Sequence, residues 1–217
     1  MARRLGVPLA PVFPVRLCPL PGPLYRVLLG YKESPVGEAR ARFAPMVRLL
    51  FDGFLADHAA CLATAAGGPF DHVLAVPSTA RPCGSPLQGV EGLADSATAR
   101  TGAPWSPHLL TRGSRPMGHM QPDRSGFAVA AASAGAVRGT RILLLDDTYV
   151  SGARAQSAAA GLRRAGARSV VIVVLGRVLR TDRVPPPSGF LAPVGADGVP
   201  DRPRPCCRCV QTGATTE

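Results

Sequence analysis

The chain has 217 residues, 46% of them hydrophobic, and its formal net charge at pH 7 is +11. This length suits one α/β domain with flanking segments, and the apolar fraction is sufficient for a proper core. The positive charge attracts polyanions such as nucleotides, pyrophosphate or DNA, but it does not select one of them.

The cellular compartment is predicted from features that the sequence lacks. No apolar run approaches the ~20 residues of a membrane-spanning helix, and prolines interrupt the N-terminal apolar stretch too often for a signal-peptide core. The six cysteines lack the spacing of a disulfide framework, which agrees with a reducing compartment. We therefore expect a cytoplasmic protein with no membrane partner.

The N-terminal part begins with a Pro-rich segment, residues 1–23, which we expect to be extended. The apolar stretch 24–32 is compatible with either a strand or a helix. Apolar residues then recur at three- and four-residue intervals over 37–64, which predicts a helix that the Gly-Gly-Pro run 67–69 ends. Pro45 either lies in the first turn of this helix or breaks it near its start.

The middle of the chain alternates between apolar and polar segments. The compact apolar run 72–77 predicts a strand, and an apolar stripe predicts a helix over 87–101. Residues 108–111 are expected to form another strand. The polar segment 112–126, rich in Gly, Pro, Arg and Met, is typical of a mobile loop, and 127–137 is predicted as helix or irregular structure.

Two buried strands flank a helix in the C-terminal part. Residues 142–145 and 169–175 are uninterrupted apolar runs without the alternation of a half-exposed strand. The helix between them extends to about Arg164, and Gly166 follows it as a stop signal. Strands that alternate with helices in this way predict an α/β fold with a doubly wound, mainly parallel sheet.

These elements divide the chain into three predicted parts. A Pro-rich N-terminal segment covers 1–23, an α/β domain covers 24–180, and a Pro- and Gly-rich tail with cysteines covers 181–217. We expect the tail to be poorly ordered and flexible.

The most informative stretch is 141–154, where two acids follow a buried strand. Asp146 and Asp147 come at the end of this strand, the place where open α/β sheets bind ligands. Ser151 and Gly152 then open the helix, and its unpaired first-turn amides suit a phosphate. The two carboxylates can accept hydrogen bonds from vicinal ribose hydroxyls, directly or through Mg²⁺. The alternative is an ordinary strand-to-helix connection with solvated acids.

This order of four apolar residues, two acids, three variable positions, Ser and Gly resembles the PRPP-binding motif of type I phosphoribosyltransferases. PRPP is 5-phosphoribosyl 1-diphosphate. The order of parts most resembles ComF-type members: an apolar stretch ending in a lysine (28–32), a strand with a small and basic loop (72–81), an Arg-rich segment (112–127), then the motif. Arg154 departs from the family because many members have a hydroxyl there, and the N-terminal cysteine-paired zinc finger is missing.

The resemblance implies a type I phosphoribosyltransferase-like fold with a small N-terminal and hood region. It also implies a Mg²⁺-dependent enzyme that transfers phosphoribosyl to a nitrogen nucleophile and releases pyrophosphate. The residues implied are Asp146 and Asp147 as catalytic and Mg²⁺-binding groups, Thr148, Tyr149, Val150, Ser151, Gly152, Ala153 and Arg154 around the 5′-phosphate, Ser78, Thr79, Ala80 and Arg81 around pyrophosphate, and Arg112, Arg115, His119 and Arg124 in the hood.

The sequence is also compatible with other functions and other partners. A non-catalytic PRPP- or nucleotide-sensing regulator, or a DNA-handling accessory protein, fits the same residues, because one fold can bind a ligand without turning it over. The acceptor is unidentified, the basic charge keeps nucleic acid among the candidate partners, and a homodimer stays open. Cys206, Cys207 and Cys209 supply three thiolates, one short of a structural zinc site, so zinc is not expected as a cofactor.

Overall fold

The computed structural model describes residues 1–33, 37–78, 84–113 and 120–179. Residues 1–179 form one compact unit. The helices in the described ranges are α1 (Ala2–Leu5), α2 (Pro23–Glu33), α3 (Gly37–Ala66), α4 (Leu93–Thr101), α5 (Ala134–Val137) and α6 (Ala153–Arg164). The strands are β1 (Val12–Pro19), β2 (His72–Ala75), β3 (Thr111–Arg112), β4 (Phe127–Ala128), β5 (Arg141–Tyr149) and β6 (Ser169–Leu179).

The central sheet has four parallel strands in the order β1-β6-β5-β2. The two uninterrupted apolar runs form its middle strands, because both of their faces are buried. One face carries Leu143 and Val173 against α2, α3 and α4, and the other carries Leu144 and Ile172 against α6. Helices on both faces confirm the predicted α/β fold with a doubly wound, parallel sheet.

The first strand changes the predicted organisation of the N-terminus. Residues 12–19 are extended, as expected, but they form the edge strand β1 and pair with β6 from Val12↔Ile172 to Pro19↔Leu179. Residues 1–23 therefore belong to the same compact unit as the elements that follow. The stretch 24–32, which the sequence left open between strand and helix, lies within α2. The tail 181–217 lies outside the described residues.

Helix α3 is the longest element, with 30 residues, and Pro45 lies inside it. A proline in a helix leaves the carbonyl four residues earlier without its N–H donor. Both Pro45 and Ala41 are exposed, so water can satisfy that carbonyl and the helix continues. The sequence alternatives of a first-turn proline or a helix break were both wrong.

Part of α3, Arg40–Ala66, is long and apolar enough to cross a membrane, with a mean hydropathy of 1.3. No single apolar run in the sequence reveals this property, because charged residues divide the helix into shorter apolar runs. One face of the helix packs in the core through the fully buried side chains of Phe51, Leu55 and Leu62. Asp52, on a neighbouring face, pairs with Arg100 of α4 at 2.9 Å.

Of the strand predicted at 108–111, only Thr111 lies in a strand, as the first residue of the short β3. Residues 107–109 form a 3-10 turn, and the sheet edge beside β2 is instead extended by the preceding segment. The Val73 N–H donates to the Pro104 carbonyl at 2.9 Å, and the Ser106 N–H donates to the Val73 carbonyl at 2.8 Å. Leu109 is buried without pairing in a strand, so its hydrophobicity reflects core packing rather than sheet formation.

We expect Leu144→Ala to lower the free energy of unfolding by about 2–5 kcal/mol, because it leaves a cavity between β5 and α6. Leu9→Ala is a suitable control, because Leu9 is 44% exposed and its loss should change stability by less than about 0.5 kcal/mol. Denaturant unfolding of the purified variants measures both values. Equal losses would contradict the assignment of Leu144 to the core.

Candidate functional site

The two acids lie where the carboxyl ends of β2 and β5 meet. These strands are parallel neighbours, paired from His72↔Ile142 to Ala75↔Leu145, and the Val76 N–H continues the pairing by donating to the Leu145 carbonyl at 2.8 Å. Asp146 and Asp147 directly follow Leu145. The loop after β2 and the loop after β5 therefore leave the sheet at the same edge.

Neither acid is solvated, because Asp146 is 2% exposed and Asp147 is 1% exposed. The structure extends β5 through both residues to Tyr149, so the acids are inside the strand rather than in a loop after it. The sequence alternative of solvated acids is thus wrong. Two adjacent carboxylates buried in this way require nearby cations or hydrogen-bond donors.

Asp147 has three partners from two helices. Its Oδ2 atom accepts a hydrogen bond from the Tyr31 hydroxyl, and its Oδ1 atom pairs with the Lys32 ammonium group. The Arg154 guanidinium also reaches Oδ1, at 3.3 Å. Lys32, the chain's only lysine, additionally donates to the Thr148 hydroxyl at 3.0 Å.

Asp146 has fewer donors. Its Oδ1 atom pairs with the Arg154 guanidinium and accepts the Asp147 backbone N–H at 3.0 Å. The cluster formed by Tyr31, Lys32, Asp146, Asp147 and Arg154 is therefore formally neutral, with two carboxylates and two cations. We call these five residues the acid cluster.

The two carboxyl groups differ in acidity for physical reasons. Burial raises the pKa of Asp146, and Arg154 only partly opposes this. Burial also acts to raise the pKa of Asp147, but Lys32, Arg154 and the Tyr31 hydroxyl outweigh it and hold that pKa below its usual range. Asp147 is therefore the firmly ionised member of the pair, and Asp146 is the member that takes up a proton first.

The pKa values of Arg154 and Tyr31, which donate hydrogen bonds to these carboxylates, are both raised. The attraction of Asp146, reinforced by Asp147, raises the pKa of Arg154 and keeps its guanidinium charged. Burial and the neighbouring Asp147 carboxylate raise the pKa of Tyr31, so its hydroxyl stays protonated and remains a donor.

A three-residue turn, 150–152, joins β5 to α6. Gly152 has φ = +78°, a left-handed conformation that suits glycine, and the Tyr149 hydroxyl occupies the space that a side chain at 152 would need. The Ala153 N–H donates to the Ser151 hydroxyl at 3.3 Å, while Gly152 as N-cap residue offers no side-chain cap. The Arg177 guanidinium lies 6.0 Å from the centre of the Tyr149 ring.

The predicted pyrophosphate loop is described only at its ends. Ser78 is buried, and its N–H donates to the Gly84 carbonyl at 2.8 Å, which closes the base of the loop. Thr79, Ala80 and Arg81 lie outside the described residues. The parallel pairing of β2 with β5 brings Ser78 to the same sheet edge as the acids.

The structure does not bring the described hood residues to the acids. The Arg124 carbonyl accepts a hydrogen bond from Arg164, which ends α6, and the Arg124 guanidinium lies against Gly6. Arg164 is eleven residues from the start of α6, about 16 Å along its axis. Arg112 lies over the Phe127 ring at 5.7 Å, and Phe127 packs beside Gly161 in the last turn of α6.

The remaining sequence-predicted residues fall elsewhere. Arg115 and His119 are outside the described residues, as are Cys206, Cys207 and Cys209. In the described ranges, no group of three or more His, Cys, Asp or Glu side chains is placed to hold a metal ion. Within the described residues, a cation at the acids would have the two carboxylates as its acidic ligands.

Tyr31 is the member of the acid cluster that the sequence analysis did not find. The hydrogen-bonded side chains of Tyr31 and Asp147 are 116 positions apart, so no local pattern links them. The sequence marks Lys32 as the end of an apolar stretch and as the only lysine in an arginine-rich chain. Neither feature by itself places Lys32 beside the acids.

No protein-family model matches the chain, and a search among curated proteins finds no match. Two solved structures resemble part of the fold, each with 22% identity and a TM-score of 0.34 over 57% of this chain. They are described as the allosteric regulatory enzyme of purine biosynthesis and the glutamine phosphoribosylpyrophosphate amidotransferase of B. subtilis complexed with ADP and GMP. The match spans about a quarter of the length of those chains, and it is too distant to assign a family.

We expect Tyr31→Phe to lower the free energy of unfolding at neutral pH by about 1–3 kcal/mol, because it removes a donor from a buried carboxylate. The pKa of Asp147 in the folded protein lies below its ordinary value of 3.8. The stabilisation that the fold gains from the hydrogen bond between Tyr31 and ionised Asp147 is therefore present above pH 3.8 and is lost as the pH falls through the lowered pKa. The difference between wild type and variant should therefore shrink in acid.

Tyr25→Phe on the same helix α2 is the matched control, since Tyr25 is packed beside the core and is not part of the acid cluster. Denaturant unfolding at neutral pH and below pH 3.8 tests both variants. A Tyr31→Phe loss that is the same at both pH values would contradict its link to Asp147.

Proposed function

We propose that this protein is a phosphoribosyltransferase that binds PRPP and transfers its phosphoribosyl group to a nitrogen nucleophile. One observation carries the proposal: a buried pair of carboxylates at the end of a parallel strand is followed, after a three-residue turn, by a helix N-terminus. This arrangement sets acceptors for hydroxyl groups beside donors for a phosphate. A ribose 5-phosphate carries both kinds of group, with hydroxyls on carbons 2 and 3 and the phosphate on carbon 5.

The turn 150–152 and the start of α6 would hold the 5′-phosphate. The first-turn amides of a helix point along its axis and carry partial positive charge, so they favour an anion. Gly152, which is buried against Tyr149, brings no side chain of its own to this turn, and the Ser151 hydroxyl adds a donor. Tyr149 lies against Gly152, so its ring would turn aside or form one wall of the phosphate site.

Asp146 and Asp147 would accept hydrogen bonds from the ribose 2′- and 3′-hydroxyls. Asp147 keeps its negative charge because its pKa is lowered, so it is the better group to stabilise positive charge that develops on the ribose ring. The bond between ribose carbon 1 and the diphosphate oxygen breaks with its electron pair leaving on pyrophosphate. The nitrogen lone pair forms the new bond, and the proton of the amine or base passes to solvent.

The acids suit Mg²⁺ only together with a substrate. Mg²⁺ is usually bound by one or two carboxylates plus substrate phosphates, and two carboxylates are what this site offers. When bound, Mg²⁺ would supply charge neutralisation to the departing pyrophosphate. Ser78, at the base of the loop after β2, lies at the same edge and would contact that group.

Arg154 would change partners when the ligand binds. In the structure its guanidinium bridges both acids, while its backbone lies in the first turn of α6. A phosphate at this turn offers the guanidinium a second, doubly charged partner. Movement of Arg154 from carboxylate to phosphate would free Asp146 for a ribose hydroxyl.

A second function is favoured by the neutrality of the acid cluster. Lys32 and Arg154 already balance both carboxylates, so the chain itself occupies the positions that Mg²⁺ and ribose would use. A site of this kind suits a protein that senses PRPP or a nucleotide without turning it over. Ligand binding without pyrophosphate release distinguishes this function from the first.

For the transferase, we expect PRPP with Mg²⁺ to raise the melting temperature and pyrophosphate to appear when a suitable base or amine is added. Asp146→Asn should abolish the release and keep the fold, because asparagine has the shape of aspartate and its side-chain oxygen can still accept the hydrogen bonds from Arg154 and the Asp147 N–H. Differential scanning fluorimetry and a pyrophosphate assay over a panel of acceptors measure the two effects.

Asp95→Asn, on the exposed surface of α4, is the matched control and should keep both properties. Stabilisation by PRPP without release from any acceptor would support the sensor instead. Undiminished release by the double variant Asp146→Asn with Asp147→Asn would refute the transferase assignment.

We expect Arg154→Gln to bind Mg²⁺ in the absence of PRPP, because the variant leaves two buried carboxylates with only one cation. Its affinity for PRPP should fall at least tenfold through loss of a charge-assisted phosphate contact. Isothermal titration with Mg²⁺ and then with PRPP measures both constants. Arg168→Gln, an exposed control, should match wild type, and unchanged PRPP affinity of Arg154→Gln would exclude Arg154 from the phosphate site.

A further inference from the structure

One long face of α3 is left uncovered by the rest of the described chain. Exposed residues recur on it at three- and four-residue intervals, so they form a single stripe along the helix. Its apolar centre includes Met46, 44% exposed, and Leu49, 59% exposed. The exposed members are Glu38, Arg42, Pro45, Met46, Leu49, Gly53, Ala56, Asp57, Ala60 and Thr64.

The neighbouring helices fix the borders of this stripe. On one side the Phe43 ring packs against Gly30 of α2. On the other side Asp52 accepts hydrogen bonds from Ser96, at 2.6 Å, and Arg100, at 2.9 Å, both on α4. The stripe is therefore a ridge between α2 and α4, which is accessible along its length.

A gap in the ridge lies at Gly53. A Cβ atom built on Gly53 would meet nothing within 4 Å, so the helix backbone is open there. Glycine in the middle of a helix costs about 0.5–1 kcal/mol relative to alanine, and fold packing gives no reason for it at this position. Met46, seven residues earlier on the same face, is the right size to fill such a gap from another helix.

Two opposite charges flank the apolar centre of the ridge, and Glu38 adds a negative charge one turn before the first of them. Arg42 is near its beginning and Asp57 near its end, fifteen residues or about 22 Å apart along the axis. Two copies of α3 that pack in parallel would place Arg42 beside Arg42. Two copies that pack antiparallel, with the two-fold axis between Leu49 and Leu50, would place Arg42 opposite Asp57 of the partner subunit.

We propose that this ridge is the interface of a homodimer in which two α3 helices pack antiparallel around a two-fold axis. In this register Met46 enters the gap at Gly53 of the partner subunit, and each contact occurs twice because the interface is isologous. Complementary charges at both ends fix the direction of packing. The proposal is independent of the proposed function, because it uses no residue of the acid cluster.

The chemistry of the ridge favours a second copy over a lipid surface. A helix that lies on a membrane carries basic residues beside its apolar face. Here a carboxylate, Asp57, stands at the end of the apolar stripe, and Glu38 stands at its start. An anionic bilayer would repel both groups, whereas Arg42 of the partner subunit would attract Asp57.

The test uses the full chain and analytical ultracentrifugation over a range of concentrations. Wild type should sediment as a dimer, and Gly53→Leu should raise the dimer dissociation constant at least tenfold by filling the gap. Arg42→Glu and Asp57→Arg should each weaken the dimer about tenfold or more, because each places like charges together at two positions. The double variant Arg42→Glu with Asp57→Arg should restore wild-type association.

Glu91→Arg is the control for the change in net charge, since Glu91 is exposed and lies just before α4, outside the ridge. It should leave the dimer intact, and circular dichroism should show each variant folded. A monomeric wild type, a dimer insensitive to Gly53→Leu, or failure of the double variant to recover would each overturn the proposal. Cosedimentation of monomeric wild type with phosphatidylcholine and phosphatidylserine vesicles, retained in Gly53→Leu, would instead identify the ridge as a membrane contact.

Discussion

The fold depends on how two adjacent buried carboxylates are neutralised. An isolated ionised carboxylate in an apolar interior is highly unfavourable, so Asp146 and Asp147 can be buried only with cations and donors around them. Lys32 and Arg154 supply the cations from helices on opposite faces of the sheet, and Tyr31 supplies the hydroxyl. Removal of one partner from such a cluster typically costs about 3–5 kcal/mol, because the other charge remains buried.

The same neutralisation connects parts of the structure that are distant in sequence. Asp147 connects β5 to the end of α2, while Arg154 connects β5 to the first turn of α6. Helices α2 and α6 lie on opposite faces of the sheet, so the acid cluster joins both layers at one edge. Occupation of this edge by an anionic ligand would therefore affect helices on both faces.

Local sequence patterns predicted the elements whose environment is uniform. Continuous apolar runs revealed β5 and β6, and the periodicity of apolar residues revealed α3 to within two residues of its end. The strand predicted around Leu109 was wrong, because a leucine that is buried in a turn gives the same apolar signal in the sequence as one that is buried in a strand. The acids were found from their order before a turn and a helix, but Tyr31 contacts them only through the tertiary fold.

The use of the only lysine in the acid cluster has a chemical consequence. Lys32 is the only side chain in the sequence with a primary amine, so amine-directed reagents have one side-chain target. The Lys32 side chain is 18% exposed and ion-paired, which makes its nitrogen a poor nucleophile until that pair opens. Acylation or isotopic methylation of this one nitrogen therefore reports on whether Asp147 is engaged, without any engineered label.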